Sequence, residues 1–261
     1  MPELDELQLI KSDLSDGVLT IRFNRPEKRN ALNLAMYSAL CEGLRLADGN
    51  DAVRAVLIAG SDGCFTSGND LTDFMTAPPT GADSPVMAFL HAISTFRKPI
   101  VAAVTGSAVG IGVTMLLHCD LVYAAAGAVF QLPFVNLGLC PEAGSSLLIP
   151  RLMGHQRAAE LLLLGEPFSA EQACHAGLVN GVCPDTELLA IARQKALQLA
   201  AQPAAAVRLT KELLKRDYAA DLQKTIADEG AHFMARLKSP EAAEALRAFM
   251  EKRKPDFTKF A

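Results

Sequence analysis

The stretch 98–123, KPIVAAVTGSAVGIGVTMLLHCDLVY, constrains the fold most because it joins two buried strands through a glycine-rich turn. Residues 99–104 form a short apolar run rich in β-branched side chains, which is typical of a buried strand. An apolar helical segment is predicted over 113–118 and a second buried strand over 119–123. Three glycines break the chain between the first strand and the helix: Gly106, Gly110 and Gly112.

The turn between these strands is a candidate binding site, although the residues alone leave its role open. The first N–H groups of a helix have no intrahelical partner, the helix dipole adds positive charge there, and glycine lets a ligand approach closely. An anion, or an oxygen that becomes anionic during a reaction, fits such a turn. A dinucleotide fingerprint would need a third glycine where Met115 stands, and the Gly-Lys-Ser/Thr of a P-loop is absent. Tight strand–helix packing without a ligand explains the same glycines equally well.

Composition and charge exclude several classes of protein. Half of the 261 residues are apolar and 21% are charged, which suits a soluble globular protein with a large core. The net charge of −4 argues against a general nucleic-acid binder. No apolar run approaches the ~20 residues that span a bilayer, and the acidic N-terminus does not resemble a signal peptide. The six cysteines form no C-x-x-C pair, which predicts reduced thiols in a cytoplasmic protein.

Strands and helices alternate along the first half of the chain, which predicts parallel crossover units. Further strands are predicted at 7–11, 18–23, 53–59 and 178–183. Helices are predicted at 33–47 (capped by Asn33), 85–96, 145–153, 156–164 and 170–175, and almost throughout from 185 onward. A mobile loop is predicted over 75–83 and irregular structure over 130–144.

Two further segments are candidates for binding. Residues 60–71 form a second glycine-containing turn at the end of a strand, where α/β folds tend to bind ligands. Residues 24–30 form a polar, basic loop, in which Lys28 or Arg29 either contacts a phosphate or is simply solvated.

Glu142 is the strongest candidate for chemistry. Its neighbours in LCPEAG are apolar and no basic residue follows before Arg151, so we expect a raised pKa, as a general base near neutral pH requires. The equally weighted alternative is a glutamate in the first turn of a helix, where the dipole favours it. Asp70 is expected to cap a helix and Asp120 to be a hydrogen-bonded structural carboxylate, while His118 is predicted to lie in the core.

Taken together, several motifs resemble the crotonase superfamily, also called enoyl-CoA hydratase/isomerase, over nearly the whole chain. The motifs are NRP at 24–26 with NAL at 30–32, FTSGNDL at 65–71, KPIVAAV at 98–104, CD at 119–120, AEQA at 170–173 and AGLV at 176–179. The resemblance implies an α/β, ClpP-like spiral of β-β-α units followed by a helical layer that trimerises. It predicts a core with the acyl-CoA site over 1–200, an oligomerisation region over 201–261, and a homotrimer or dimer of trimers.

The resemblance also implies an oxyanion hole that holds the thioester oxygen of an acyl-CoA. By matching position its two backbone N–H groups belong to Asn69 and Ile111, and removing such a donor typically costs ~10²–10³ in rate. Because the donors are backbone groups, the side chains there need not be the family's usual Ala and Gly. The remaining predicted substrate contacts are Lys28, Arg29, Ser67, Gly68, Asp70, Leu71, Gly110 and Phe134. No metal or further cofactor is implied, since coenzyme A is part of the substrate, and neither a nucleic acid nor a membrane is expected as partner.

Departures from the family pattern narrow the predicted activity. A hydratase places two glutamates around its substrate, and the matching positions here are Thr114 and Phe134. Glu142 instead lies in a Pro-Glu-x-x-Ser-Ser context similar to peroxisomal-type Δ3,Δ2-enoyl-CoA isomerases. The hypothesis is that Glu142 moves a proton from C2 to C4 of a 3-enoyl-CoA in fatty-acid oxidation. Alternatives are a hydratase, a dienoyl-CoA isomerase, a thioesterase, a carboxyl-group chemistry, or a non-catalytic acyl-CoA-binding relative, which would leave Glu142 unexplained.

Overall fold

A computed structural model of the chain describes residues 9–61, 63–76, 81 and 83–260. The strands are β1 Ile10–Ser15, β2 Val18–Phe23, β3 Ala55–Ala59, β4 Ile100–Val104, β5 Ser107–Val109, β6 Leu121–Ala125, β7 Val129–Gln131, β8 Phe168–Ser169 and β9 Gly181–Cys183. The α-helices are α1 Leu34–Gly49, α2 Leu71–Thr76, α3 Pro85–Thr95, α4 Ile111–Thr114, α5 Ser145–Met153, α6 His155–Leu164, α7 Ala170–His175, α8 Asp185–Ala200, α9 Ala204–Lys215, α10 Ala219–Leu237 and α11 Pro240–Met250.

The larger sheet has six strands in the order β1-β2-β3-β4-β6-β9. The first two form an antiparallel hairpin through Asp16 and Gly17, which both have positive φ, and every later pair is parallel. This confirms the predicted crossover units. The central strands β3 and β4 are buried along their whole length, as their uninterrupted apolar sequences indicate.

A second sheet of three strands, in the order β5-β7-β8, was not predicted. Residues 130–144 were expected to be irregular, but their first two residues complete β7, which pairs with β5 and β8. Strands of two or three residues are too short to show a period of two. They form because pairing partners far along the chain lie beside them.

Helix α1 begins where the sequence predicts. The Asn33 side chain accepts the backbone N–H of Met36 at 2.9 Å, so the predicted cap is confirmed. The predicted helices over 145–153 and 170–175 are observed with the same bounds as α5 and α7. The predicted segment 113–118 is divided between α4 and a 3₁₀ turn, Met115–His118. The predicted loop over 75–83 begins inside α2, and 77–80 and 82 lie outside the described residues.

The C-terminal helices close over the sheet, with α8 against β3, β4 and β6. A partly buried ion pair joins α9 to the core: the Lys211 ammonium lies 2.7 Å from Asp120 Oδ2. The same oxygen accepts the backbone N–H of Ile100 at 2.7 Å, which confirms Asp120 as a structural carboxylate. The division at residue 200 stays a prediction.

We expect Asp120→Asn to destabilise the fold by about 3 kcal/mol, because it leaves the Lys211 ammonium without its anion. Denaturant unfolding at one fixed protein concentration measures this. Glu42→Gln is the matched control, since it breaks the exposed pair with Arg45 and should leave the unfolding midpoint unchanged. Equal midpoints for both variants would show that the Lys211–Asp120 pair does not hold the helical layer.

Candidate active site

The two glycine turns run side by side. Thr66 and Ala108 form a parallel bridge, and the backbone N–H of Val109 donates to the carbonyl of Thr66 at 3.1 Å. Asn69 lies three residues beyond the first bridge partner and Ile111 three beyond the second. The pairing therefore places these two residues at equivalent positions of neighbouring segments.

Glycine is required where the segments touch. Gly68 has a φ of 94°, and a Cβ there would lie 2.9 Å from the carbonyl oxygen of Val109. A Cβ on Gly112 would lie 2.6 Å from Thr66 Cγ2. Both glycines thus serve close packing, which was one interpretation of the turn, and this packing brings α4 against the neighbouring loop.

Packing does not account for the whole turn, because among the described residues backbone N–H groups on both segments are without an acceptor. Within the described residues, the N–H groups of Asn69 and Ile111 donate to no acceptor. Among the neighbouring N–H groups, Gly68 donates to a side chain, and Asp70 and Gly110 donate to carbonyls. Ile111 is the first residue of α4, where an N–H has no intrahelical partner. Two free donors on adjacent segments fit one oxygen that gains negative charge.

Glu142 precedes α5 in a tight turn and does not lie in the first helical turn, so the helix-terminus alternative is wrong. Ala143 and Gly144 follow it with φ of 61° and 75°, and the first of these is unusual for a residue with a Cβ. His118 is fully buried, and its Nε2 lies 2.8 Å from the carbonyl oxygen of Ala143. Burial lowers the pKa of His118 to about 4, so the neutral ring donates this hydrogen bond. The prediction of a core histidine is confirmed.

Glu229, on α10, holds the same turn from the other side. Its carboxylate accepts the backbone N–H groups of Gly144 at 2.6 Å and Ser146 at 2.9 Å, and the Ser146 hydroxyl at 2.5 Å. Glu229 is not among the residues predicted from the sequence. The available signal was a glutamate in the buried stripe of an amphipathic helix, between Ile226 and Phe233.

The Glu142 side chain is only 5% exposed and lines an apolar cavity. The cavity encloses about 390 Å³ of empty space including its open mouth, and lies between α3 and α10. Its apolar walls include Val86, Met87, Leu90, Ile226 and Phe233. The C-terminal region therefore forms one wall of a site that was predicted to lie within 1–200.

This environment raises the pKa of Glu142 to about 8. Burial is the largest cause, and the charge of Glu229 adds to it. The Asn69 side chain opposes both effects through a hydrogen bond to the carboxylate. Among the described residues Glu142 Oε1 has no hydrogen-bond partner. The raised pKa agrees with the expectation from its apolar neighbours.

The side chain of Tyr37 extends the contact between Asn69 and Glu142. The hydroxyl of Tyr37, which lies on α1 and is fully buried, donates to Asn69 Oδ1. From the sequence, Tyr37 is predicted only to lie on the apolar face of the helix. Its signal was chemical, since a buried tyrosine hydroxyl needs a hydrogen-bond partner.

The other predicted residues of the loops lie on the surface or are held by contacts within the loops. The exposed Lys28 and Arg29 lie beside Ser67, whose N–H donates to the carbonyl of Arg29 at 3.0 Å. Asp70 caps α2, which begins at Leu71, through the N–H of Thr72 at 3.0 Å. Its carboxylate also pairs with Arg25 at 2.7 Å, so the side chain is committed to the loop.

Phe134 and Thr114 line the glycine turn without acid–base groups. Phe134 is buried, and its ring lies 4.0 Å from where a Cβ on Gly110 would be. Thr114 is fully buried in α4. The described residues contain no group of three or more metal-ligating side chains, and no described helix is long and apolar enough to cross a membrane.

Comparison with known proteins identifies the family. A family model described as Enoyl-CoA hydratase/isomerase matches residues 13–259. The chain belongs to the enoyl-CoA hydratase/isomerase family. The resemblance to crotonases is thereby confirmed, and with it the fold. The family name covers both hydration and isomerisation. Membership therefore establishes an acyl-CoA enzyme scaffold, and the reaction has to be inferred from the residues of the site.

Three relatives illustrate the range of this enoyl-CoA hydratase/isomerase family. Human enoyl-CoA delta isomerase 2 is 35% identical over 245 residues, which are 91% of this chain, and the chain spans only 62% of that protein's length. The 1,2-epoxyphenylacetyl-CoA isomerase of Escherichia coli is 34% identical over 259 residues, 97% of this chain and 99% of the relative. The structure of Pseudomonas aeruginosa OdaA is 51% identical with a TM-score of 0.91, and the match covers 93% of this chain and 99% of that one.

Proposed function

We propose that the protein is a Δ3,Δ2-enoyl-CoA isomerase that converts a 3-enoyl-CoA into the conjugated trans-2-enoyl-CoA. The observation that carries this proposal is the buried carboxyl group of Glu142, which lines an apolar cavity and has a pKa raised to about 8. Double-bond migration needs one group that removes a proton and returns it two carbons away, and one carboxylate suffices for both.

Substrate binding uses the two glycine turns. The thioester oxygen accepts the free N–H groups of Asn69 and Ile111, and the exposed Lys28 and Arg29 face the phosphates of coenzyme A. The acyl chain enters the apolar cavity between α3 and α10. The reaction is redox-neutral and transfers only a proton, so coenzyme A takes part as the carrier of the acyl group.

Proton transfer then proceeds in two steps. The Glu142 carboxylate removes a proton from C2, and the electron pair of that C–H bond delocalises onto the thioester oxygen as a dienolate. The two N–H donors stabilise this charge because the fold holds them in place before the reaction. Protonated Glu142 delivers its proton to C4, so the double bond moves from C3–C4 to C2–C3 and the carboxylate is regenerated.

Three features of the site disfavour hydration. The positions where a hydratase has its glutamates hold Thr114 and Phe134, and neither side chain activates water. The buried Phe134 and Leu139 add to the apolar surroundings. Exclusion of water by the cavity walls also keeps Glu142 basic.

We expect Glu142→Gln to lose about 10³-fold in kcat/KM with trans-3-hexenoyl-CoA, because glutamine cannot accept the C2 proton. Ultraviolet absorbance of the conjugated thioester measures turnover. In the wild type, kcat/KM should rise with pH through about 8, since the deprotonated form of Glu142 is the base. Glu42→Gln, at an exposed position, is the control.

Near-wild-type turnover by Glu142→Gln would contradict this assignment. Trans-2-hexenoyl-CoA, assayed in parallel, tests the hydratase alternative. The full-length match to an enzyme named for 1,2-epoxyphenylacetyl-CoA makes that thioester the next substrate to assay. Tight acyl-CoA binding with no turnover of any thioester would favour the non-catalytic alternative.

We also propose that the chain assembles as a homotrimer or a dimer of trimers, as the resemblance implies, and acts in the cytoplasm in fatty-acid oxidation. Large apolar side chains are exposed on several helices: Leu163 and Leu164 on α6, Leu209, Leu213 and Leu214 on α9, and Phe249 and Met250 on α11. Exposed apolar patches of this kind mark protein–protein interfaces. The six free cysteines suit a reducing compartment.

Light scattering should give a mass three or six times the 27.8 kDa of the chain. Leu214 is 74% exposed, and Leu214→Glu should produce smaller species because it places a charge in the apolar interface. Lys11→Glu, on the exposed side of β1, is the charge control. A monomeric wild type would refute the assembly, and an intact Leu214→Glu oligomer would exclude the α9 face as its interface.

A further inference from the structure

We propose that Tyr37 is a positioning residue, whose hydroxyl fixes the Asn69 side-chain amide so that its NH₂ group faces Glu142. This inference rests on the proposed role of Glu142 as the base. The proton transfers described above use the backbone of Asn69 and leave its side chain and Tyr37 without a function. Both side chains nevertheless lie in one hydrogen-bonded series that ends at the Glu142 carboxylate.

The two ends of the Asn69 carboxamide differ in their hydrogen bonding. One end, Oδ1, only accepts hydrogen bonds, and the other, Nδ2, only donates them. Because the Tyr37 hydroxyl donates to Asn69 Oδ1, the donor end is left for Glu142. An amide held this way stabilises the ionised carboxylate. The opposite orientation would present Oδ1 to Glu142 and stabilise the protonated acid, which cannot act as a base.

The surroundings of Tyr37 hold its hydroxyl group in one place, as a hydrogen-bond donor to Asn69 requires. Its side chain is fully buried, its ring packs against Phe89 of α3 at 5.5 Å between centroids, and its backbone N–H donates to the carbonyl of Asn33 at 3.1 Å. Burial and the charge of Glu142 hold the pKa of Tyr37 well above its usual value. The hydroxyl thus keeps its proton throughout the working pH range and remains a donor.

The other titratable groups that act on Glu142 push it toward protonation or remain neutral. Glu229, from α10, raises the pKa of Glu142 through its charge. Cys140, in the preceding turn, is kept as a neutral thiol because burial raises its own pKa to about 11. The Asn69 amide is the group that stabilises the charged form, so the orientation of the amide controls how much base is present near neutral pH.

The test measures the ionisation of Glu142 directly and needs no turnover. The carbonyl stretch of the protonated carboxyl is followed by infrared difference titration, and the band is assigned by its loss in Glu142→Gln. We expect Tyr37→Phe to move the midpoint upward by about half to one pH unit, because the freed amide can turn its oxygen toward the protonated acid. In parallel, kcat/KM at pH 7 should fall about 3- to 10-fold.

Asn69→Ala removes the side chain but keeps the backbone N–H, and it should raise the midpoint as well. If Tyr37 acts through Asn69, Tyr37→Phe should shift the midpoint no further in the Asn69→Ala background, as a double-mutant cycle shows. Tyr123→Phe removes a hydroxyl on β6 and should leave the midpoint unchanged. Thermal unfolding of each variant verifies that it is folded.

Three results would overturn the proposal: an unchanged midpoint in Tyr37→Phe, an unchanged midpoint in Asn69→Ala, or a full additional shift when the two are combined. If Tyr37→Phe does not fold, an unchanged midpoint in Asn69→Ala still overturns the proposal. The infrared midpoints also separate this proposal from the proposed function. Expected midpoints in a protein without isomerase activity would uphold Tyr37 and refute the isomerase.

Discussion

The site depends on the burial of one carboxyl group with an incomplete set of hydrogen bonds. An isolated carboxylate in an apolar cavity is unfavourable by several kcal/mol, so the surrounding structure must hold Glu142 in place. The turn that carries it is itself strained, because Ala143 adopts a left-handed conformation that typically costs about 1–3 kcal/mol. Hydrogen bonds from buried His118 and to buried Glu229 fix this turn. Stability is thus given up locally to keep a basic carboxyl ready for reaction.

Segments far apart in sequence converge on this group. Tyr37 comes from the first helix, Asn69 from the loop before α2, and Glu229 from α10 near the C-terminus. The two parallel glycine turns add a pair of free N–H donors. The same close packing that requires glycine at Gly68 and Gly112 therefore also positions the groups that stabilise negative charge.

Local signals in the sequence were sufficient for much of the fold. The apolar runs, the Asn33 cap and the glycine breaks predicted β2, β4, α1 and α5, because each of these elements has a signal within its own few residues of sequence. The apolar neighbours of Glu142 likewise indicated a raised pKa. The family model confirms the superfamily that the combined motifs resemble.

Interactions across the chain were not predictable in the same way. Tyr37 and Asn69 are 32 residues apart, and Glu229 lies 85 residues beyond Gly144, so no periodicity or spacing connects them. The short strands β7 and β8 exist only through their pairing. The sequence nevertheless contained a partial signal, since Tyr37 and Glu229 both occupy buried stripes of amphipathic helices, where a polar group requires a partner.

The central claim is that one shielded carboxyl group carries the proton from C2 to C4. The most direct measurement uses a 3-hexenoyl-CoA that is deuterated at C2 and isomerised in ordinary water, with the product analysed by NMR. A single base in a water-excluding cavity predicts deuterium at C4 of the trans-2-enoyl product. A product whose new C4 hydrogen comes entirely from solvent would contradict the account, because it would show that water or a second group delivers the proton.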